Sequence, residues 1–139
     1  VRLVVDASIG GAWCLGDEES DLALEVLARI VEAQLIVPAH WSLELSNLLA
    51  VAERRSRIDM EGVRNATRFV RSLPLTIDGM TAGQALSATL ELARRHQLTS
   101  YDAAYLELAI REGAILATLD QRLTRVASSE GIRIFGSPA

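Results

Sequence analysis

Val1-Arg2-Leu3-Val4-Val5-Asp6-Ala7-Ser8 opens the chain, and the fold turns on how this stretch is read. Leu3-Val4-Val5 is a short, β-branched and wholly apolar run. It reads as a strand buried on both faces, because a strand with one wet face would alternate. Asp6 continues directly from it, and an acid in that place is drawn partly inside. A short helix should follow to about residue 15, where Gly16 breaks it.

The same grammar recurs outward from this strand. Leu35-Ile36-Val37 is a second strand, stopped by Pro38. Leu75-Thr76-Ile77 is a third, ahead of an Asp78-Gly79 turn. Ala114-Ile115-Leu116-Ala117-Thr118 is a fourth and Ile132-Arg133-Ile134-Phe135 a fifth, each announced by a glycine, Gly113 and Gly131, just past a helix. Between them, Leu22, Val26 and Ile30 with Leu24, Leu27 and Val31 recur at helical spacing to about residue 33. Asp17 or a neighbour should cap that helix, with Glu18 and Glu19 in its first turn. Further helices are expected over about 39–57, from an Asp59 cap to Pro74, over 81–96 and over 100–112. Strands alternating with helices predict an α/β fold, a parallel sheet covered by helices on both faces.

The length of 139 residues suits one domain, 1–139. Half the residues are hydrophobic but only 4% aromatic, so the core should be aliphatic. The single Cys14 has no partner for an intrachain disulfide and, beside Trp13, reads as core. No apolar run approaches the ~18 residues that span a bilayer. Three apolar residues before Asp6 are too few for a signal-peptide core, so the expectation is a soluble, cytoplasmic protein with no membrane partner. The basic residues are 14 arginines and no lysine, against 18 acids. Without lysine, P-loop hydrolysis, pyridoxal-phosphate chemistry and response-regulator signalling lose a group they need. The net charge of −4 argues, at first sight, against a nucleic-acid partner.

Four carboxylates fall at special places. Asp6 ends strand one, and Glu44 lies in the first turns of the helix after strand two. Asp120 follows strand four and opens the next helix; Asp102 starts the helix that runs into strand four. In an α/β layer, strand carboxyl ends and helix amino ends share one edge of the sheet, where open α/β folds place ligands. Each acid alone has an ordinary role: a cap for Asp120, a dipole partner for Asp102, a solvated side chain for Glu44. Clustered, they repel, and buried anions need a partner. No arginine lies within five positions of Glu44 or Asp102, so a divalent cation is the better answer. His40 and His96 are far apart and Cys14 stands alone, which disfavours zinc. An all-carboxylate set suits Mg²⁺ or Mn²⁺ and phosphoryl chemistry. Ser8, Asn47 and Thr118 stand two residues or one helical turn from an acid, placed to orient carboxylates; Ser8 could equally cap the first helix.

The segments Val4-Val5-Asp6-Ala7-Ser8, Glu44-Leu45-Ser46-Asn47, Thr99-Ser100-Tyr101-Asp102-Ala103-Ala104-Tyr105 and Ala117-Thr118-Leu119-Asp120 resemble, in order and spacing, the motifs of PIN domains. The similarity is strongest to VapC-type toxins of bacterial toxin–antitoxin pairs and spans essentially the whole chain, with each acid in place. It implies a five-stranded parallel sheet in the order 3-2-1-4-5. It implies an endoribonuclease dependent on Mg²⁺ or Mn²⁺, with Asp6, Glu44, Asp102 and Asp120 at the metal and Ser8, Asn47 and Thr118 in support. It implies a homodimer, an RNA substrate such as tRNA or rRNA, and a small antitoxin protein whose C-terminal segment enters the active-site groove. In-line attack by a metal-activated water would leave 5′-phosphate and 3′-hydroxyl ends.

Arg64, Arg68 and Arg71 share one helix face, which is either solvated or a wall that tracks RNA phosphates. Trp41, Leu45, Leu48 and Leu49 read mostly as core, with Trp41 a candidate for an antitoxin groove or a dimer surface. A haloacid-dehalogenase-type phosphatase also carries an Asp after strand one, but it wants a second where Ser8 stands and a lysine. A non-catalytic PIN-like scaffold that binds RNA or protein would be signalled by loss of an acid, and none is lost. Setting the four acids aside leaves 14 against 14 arginines, so the −4 is numerically the charge of the site.

Overall fold

β1 (Arg2–Val5) lies between two parallel partners, β2 (Gln34–Val37) and β4 (Ile115–Ala117), and β3 (Leu75–Ile77) pairs in parallel on the far side of β2. These assignments come from a computed structural model that describes residues 1–16 and 20–137. The register sets Leu3 beside Leu35 and Ile115, and Val4 beside Ile36 and Leu116. Leu3, Val4 and Val5 are all buried. Neighbouring residues of a strand point to opposite faces, so both faces of β1 are covered, as its unbroken apolar run requires.

The helices are α1 (Ala7–Cys14), α2 (Asp21–Ala28), α3 (Trp41–Arg54), α4 (Met60–Ser72), α5 (Thr81–Gln84), α6 (Leu90–His96), α7 (Ser100–Glu112) and α8 (Gln121–Ser129). A 3₁₀ turn, Arg29–Val31, extends α2, and a π turn, Ala85–Thr89, widens the helix expected over 81–96. Ser20 caps α2, its hydroxyl accepting the Ala23 N–H at 3.1 Å. Asp17, Glu18 and Glu19 lie outside the described residues. Asp59 caps α4 as expected, accepting the Gly62 N–H at 2.7 Å. No helix among the described residues is long and apolar enough to cross a membrane.

The sheet has four strands in the order 3-2-1-4, which corrects the five-stranded expectation of 3-2-1-4-5. The segment expected as strand five makes a single parallel bridge, Ile134 to Leu116. The Leu116 N–H donates to the Arg133 carbonyl, and the Phe135 N–H donates to the Leu116 carbonyl, both at 2.9 Å. Gly131 and Gly136 flank the segment with φ of 78° and 85°. These left-handed turns bring the chain in and take it away before a ladder can extend.

The core is aliphatic as the composition demands, with Trp41 and Tyr105 its largest fully buried side chains. α7 is buried at every position from Ala103 to Ala109, so it is a central helix with no wet face there. Trp41, Leu45 and Leu49 are core; Leu48 is exposed. Cys14 packs against the core, and burial pushes its thiol up to about 11, leaving it a poor nucleophile at neutral pH.

Candidate active site

β1 delivers Asp6 to the carboxyl edge of the sheet. Its N–H still donates to the Ala117 carbonyl at 3.1 Å, and its Oδ1 caps α1 by accepting the Ile9 N–H at 3.2 Å. The Ser8 hydroxyl donates to the same Oδ1 at 2.6 Å, and the Thr118 hydroxyl donates to Oδ2. Both hydroxyls are themselves held by the loop after β4. Leu119 N–H donates to Ser8 Oγ at 2.9 Å, and Asp120 N–H to Thr118 Oγ1 at 3.0 Å. Asp6 thus fills the capping role that sequence left open for Ser8, while Ser8 orients Asp6. Burial pushes the Asp6 carboxyl up to about 6; the hydrogen bonds oppose this and the nearby Asp120 adds to it.

The other acids arrive from three further elements. Asp120 caps α8, accepting the Leu123 N–H at 3.1 Å. Asp102 stands in the first turn of α7, whose cap is Thr99. Burial raises the Asp102 carboxyl, and the charges of Asp120 and Glu44 raise it further. Arg122 is the arginine whose charge acts on Asp102, while its guanidinium donates to the Gln97 carbonyl at 2.9 Å. Glu44 lies in the first turn of α3. Its burial acts upward, but hydrogen bonds from His40 and Tyr105 outweigh it and hold the carboxyl below the usual range.

All four acids line one open cleft of about 290 Å³, together with Ser8, Asn47 and Tyr105. Thr118 sits behind it, against Asp6. Arg64, Arg68 and Arg71 do not line it. Arg64 lies against Met60 and Arg68 against Asn65, while Arg71 borders a second, apolar groove of about 320 Å³ between α3 and α4.

Among the described residues, no three His, Cys, Asp or Glu groups are gathered into a ready metal cage. The donor chemistry nevertheless fits a hard divalent ion. The set is carboxylate only, no arginine among the described residues pairs with Asp6, Asp102 or Asp120, and two of these carboxyls are raised by burial and mutual repulsion. Mg²⁺ keeps most of its waters and needs only one or two protein oxygens, with substrate phosphate completing the shell.

Two residues of the site went unassigned in the sequence. His40, read as isolated, touches Glu44, and Tyr105 donates to it from α7. The His40–Glu44 spacing of one helical turn carried that signal; the contact from Tyr105 crosses the fold and left none.

The family model described as PIN domain matches residues 3–129, a span that holds all four acids and, but for Arg2, all four strands. The chain belongs to the PIN-domain family. Ribonuclease VapC3 of Mycobacterium tuberculosis is 32% identical to this PIN domain over 124 residues, covering 89% of the chain and 86% of the relative. Among solved structures, PAE2754 from Pyrobaculum aerophilum superposes with a TM-score of 0.67 at 23% identity, over 91% of this chain and 84% of that one. VapBC2 from Rickettsia felis, bound to a DNA fragment from its promoter, gives 0.65 at 13% identity, over 96% and 97%. These two likenesses are of fold. The single-bridge segment after α8 lies beyond the matched span of the PIN domain.

Proposed function

We propose that this PIN domain is an endoribonuclease dependent on Mg²⁺ or Mn²⁺, the toxin of a toxin–antitoxin pair. The observation that carries the proposal is the convergence of Asp6, Glu44, Asp102 and Asp120, from four separate elements, on one cleft that no arginine lines among the described residues. Kinship to a protein named as a ribonuclease supports the choice of RNA. Mg²⁺ or Mn²⁺, when bound, supplies Lewis acidity to in-line hydrolysis of a phosphodiester, giving 5′-phosphate and 3′-hydroxyl ends. Asp6, Asp102, Asp120 and Glu44 would hold it. Ser8 and Thr118 lock the Asp6 carboxylate in one orientation from both of its oxygens, and Asn47 faces the same cleft one turn beyond Glu44.

The test is cleavage of RNA by the purified chain with Mg²⁺, with Mn²⁺ and with EDTA, the product ends being mapped by mass. Cleavage should need the ion and leave 5′-phosphates. Equal cleavage in EDTA would overturn the metal dependence. RNA binding without cleavage under any ion would make the chain a non-catalytic scaffold instead.

The partners assigned to this toxin are an antitoxin and a second copy of the chain. We assign the antitoxin's C-terminal segment to the acid-lined cleft, and the apolar groove between α3 and α4, where Trp41, Leu45, Leu49, Val63 and Val70 meet, to the rest of the antitoxin. Trp41 borders this groove, but its side chain is buried in the core and its indole N–H has no acceptor among the described residues. RNA phosphates are assigned to Arg64 and Arg68, both exposed on α4. Replacing both with Ala should weaken RNA binding and lower the slope of log affinity against log salt by about 2; an unchanged slope would leave α4 a solvated face.

A further inference from the structure

We propose that Tyr105 and His40 are positioning residues that make Glu44 a one-oxygen ligand, occupying its Oε1 and leaving Oε2 to meet a divalent ion or one of its waters. The proposal rests on the metal-dependent activity proposed above and concerns how one of its acids is aimed. Tyr105 Oη donates to Glu44 Oε1 at 2.6 Å. His40 Nε2 lies 3.0 Å from that same oxygen and 3.0 Å from the Tyr101 carbonyl. A carboxylate and a carbonyl both only accept, so Nε2 carries the proton and donates to the pair. Both bonds thus end on Oε1, and none from a described residue ends on Oε2.

The clasp also joins two helices. His40 stands just before the first residue of α3, which carries Glu44; Tyr101 and Tyr105 belong to α7, which carries Asp102. The imidazole leans on both rings, 5.2 Å from Tyr105 and 5.9 Å from Tyr101 between centroids. Glu44 and Asp102 repel, and the charge of one disfavours ionisation of the other. A free glutamate would swing outward into solvent to relieve this. Tyr105 is almost wholly buried and cannot follow, so its hydroxyl pins the carboxylate at the wall of the cleft. A phenylalanine would fill the same space, which makes the hydroxyl itself the element to explain.

The experiment is direct titration of the full chain with Mn²⁺, free ion being read by electron paramagnetic resonance. The proteins are wild type, Tyr105→Phe, His40→Ala, His40→Gln and Glu44→Gln, with thermal melts to establish the folded fraction of each. Tyr105→Phe and His40→Ala should each weaken Mn²⁺ binding roughly 10-fold or more, as loss of an outer hydrogen bond to a metal ligand does. His40→Gln should recover most of the loss, because its amide N–H reaches the position of Nε2. Adding Tyr105→Phe to Glu44→Gln should change nothing further, since a hydroxyl that acts through Glu44 has nothing left to aim. Wild-type affinity in both Tyr105→Phe and His40→Ala, with Glu44→Gln weakened, would overturn the proposal and leave the metal site standing. Additive losses in the double variant would also overturn it, by showing that Tyr105 acts through general packing. No Mn²⁺ binding by the wild type would overturn the metal-dependent activity itself.

Discussion

Asp6 and Asp78 begin as the same residue in two places. Each follows a parallel strand directly, Asp6 after β1 and Asp78 after β3. Each is buried, and each still donates its N–H to the carbonyl that ends a neighbouring strand, Asp6 to Ala117 and Asp78 to Val37. Each accepts a hydrogen bond from a threonine hydroxyl, Thr118 and Thr81. They differ in what answers the charge. Arg111 grips both oxygens of Asp78 at 3.0 and 2.8 Å and both oxygens of Glu107 at 2.8 and 3.0 Å. Asp6 meets only hydroxyls and one N–H. Hydrogen bonding to Arg111 therefore holds the Asp78 carboxyl below its usual range, while burial pushes that of Asp6 up to about 6. A buried acid with its own cation is a strap between β3, α5 and α7. Asp6 is held by hydroxyls and one N–H instead, and it lines the cleft that Asp78 does not reach.

The sharpest way to break this contrast is to neutralise each acid's charge or partner. Asp6→Asn should lower RNA cleavage by about 10³-fold, the scale of removing a group that stabilises a charged transition state, and should leave the melting temperature equal or higher. Arg111→Met should do the opposite. It strands Asp78 and Glu107 as unpaired buried carboxylates, costing about 3 kcal/mol in urea unfolding, with cleavage per folded molecule unchanged. If Asp6→Asn unfolds the chain while Arg111→Met removes activity alone, the roles assigned to the two acids are reversed.

Proton linkage gives a second contrast of opposite sign. For Asp6 the folded value, about 6, exceeds the ordinary 3.8, so the folded state takes up a proton that the unfolded state does not. In EDTA, its contribution to stability should therefore grow as pH falls from above 6 towards 4, by about 2–3 kcal/mol in total. The raised Asp102 works in the same direction. For Asp78 the folded value lies below 3.8, so its contribution is complete above 3.8 and lost only as pH falls below that. Urea midpoints from pH 4.5 to 7 for wild type and Asp6→Asn isolate the first window. The difference between the two proteins should shrink as pH falls, and a constant difference would mean that Asp6 is ionised throughout.

The part of this that sequence reveals is the part that strand and helix direction enforce. Leu3-Val4-Val5 and Leu35-Ile36-Val37 are strands because nothing else buries such runs on two faces. A parallel sheet then carries Asp6, Glu44, Asp102 and Asp120 to one edge whatever their neighbours are. Asp78 was legible by the same rule, as an acid directly after an apolar strand, but Asp78-Gly79 reads as a turn and its partner Arg111 lies on a distant helix. Tyr105 is hidden for the same reason: its hydrogen bond to Glu44 joins residues 61 apart in sequence, on α7 and α3, which no local spacing records. The missing fifth strand has another cause. Gly131 reads correctly as the end of a helix, but the second left-handed turn at Gly136, which ends the pairing after one bridge, is a conformation that glycine permits without requiring.

The smallest expected effect is the most discriminating about why the two acids differ. Thr118→Val and Thr81→Val each remove one hydroxyl from one buried aspartate and keep the side-chain shape. At Asp78 both bonds from Arg111 remain, so Thr81→Val should cost about 1 kcal/mol and leave the carboxyl below the usual range. At Asp6 the hydroxyls of Ser8 and Thr118, with the Ile9 N–H, are what oppose burial. Thr118→Val should therefore move that carboxyl further up, into the neutral range, as read by carboxyl-carbon NMR of both aspartates in one titration. A shift that carries Asp6 into the neutral range while Asp78 stays below its usual range locates the difference in Arg111. Equal shifts would mean that the hydroxyls govern both acids, and that the guanidinium is not what sets the structural aspartate apart from the one in the cleft.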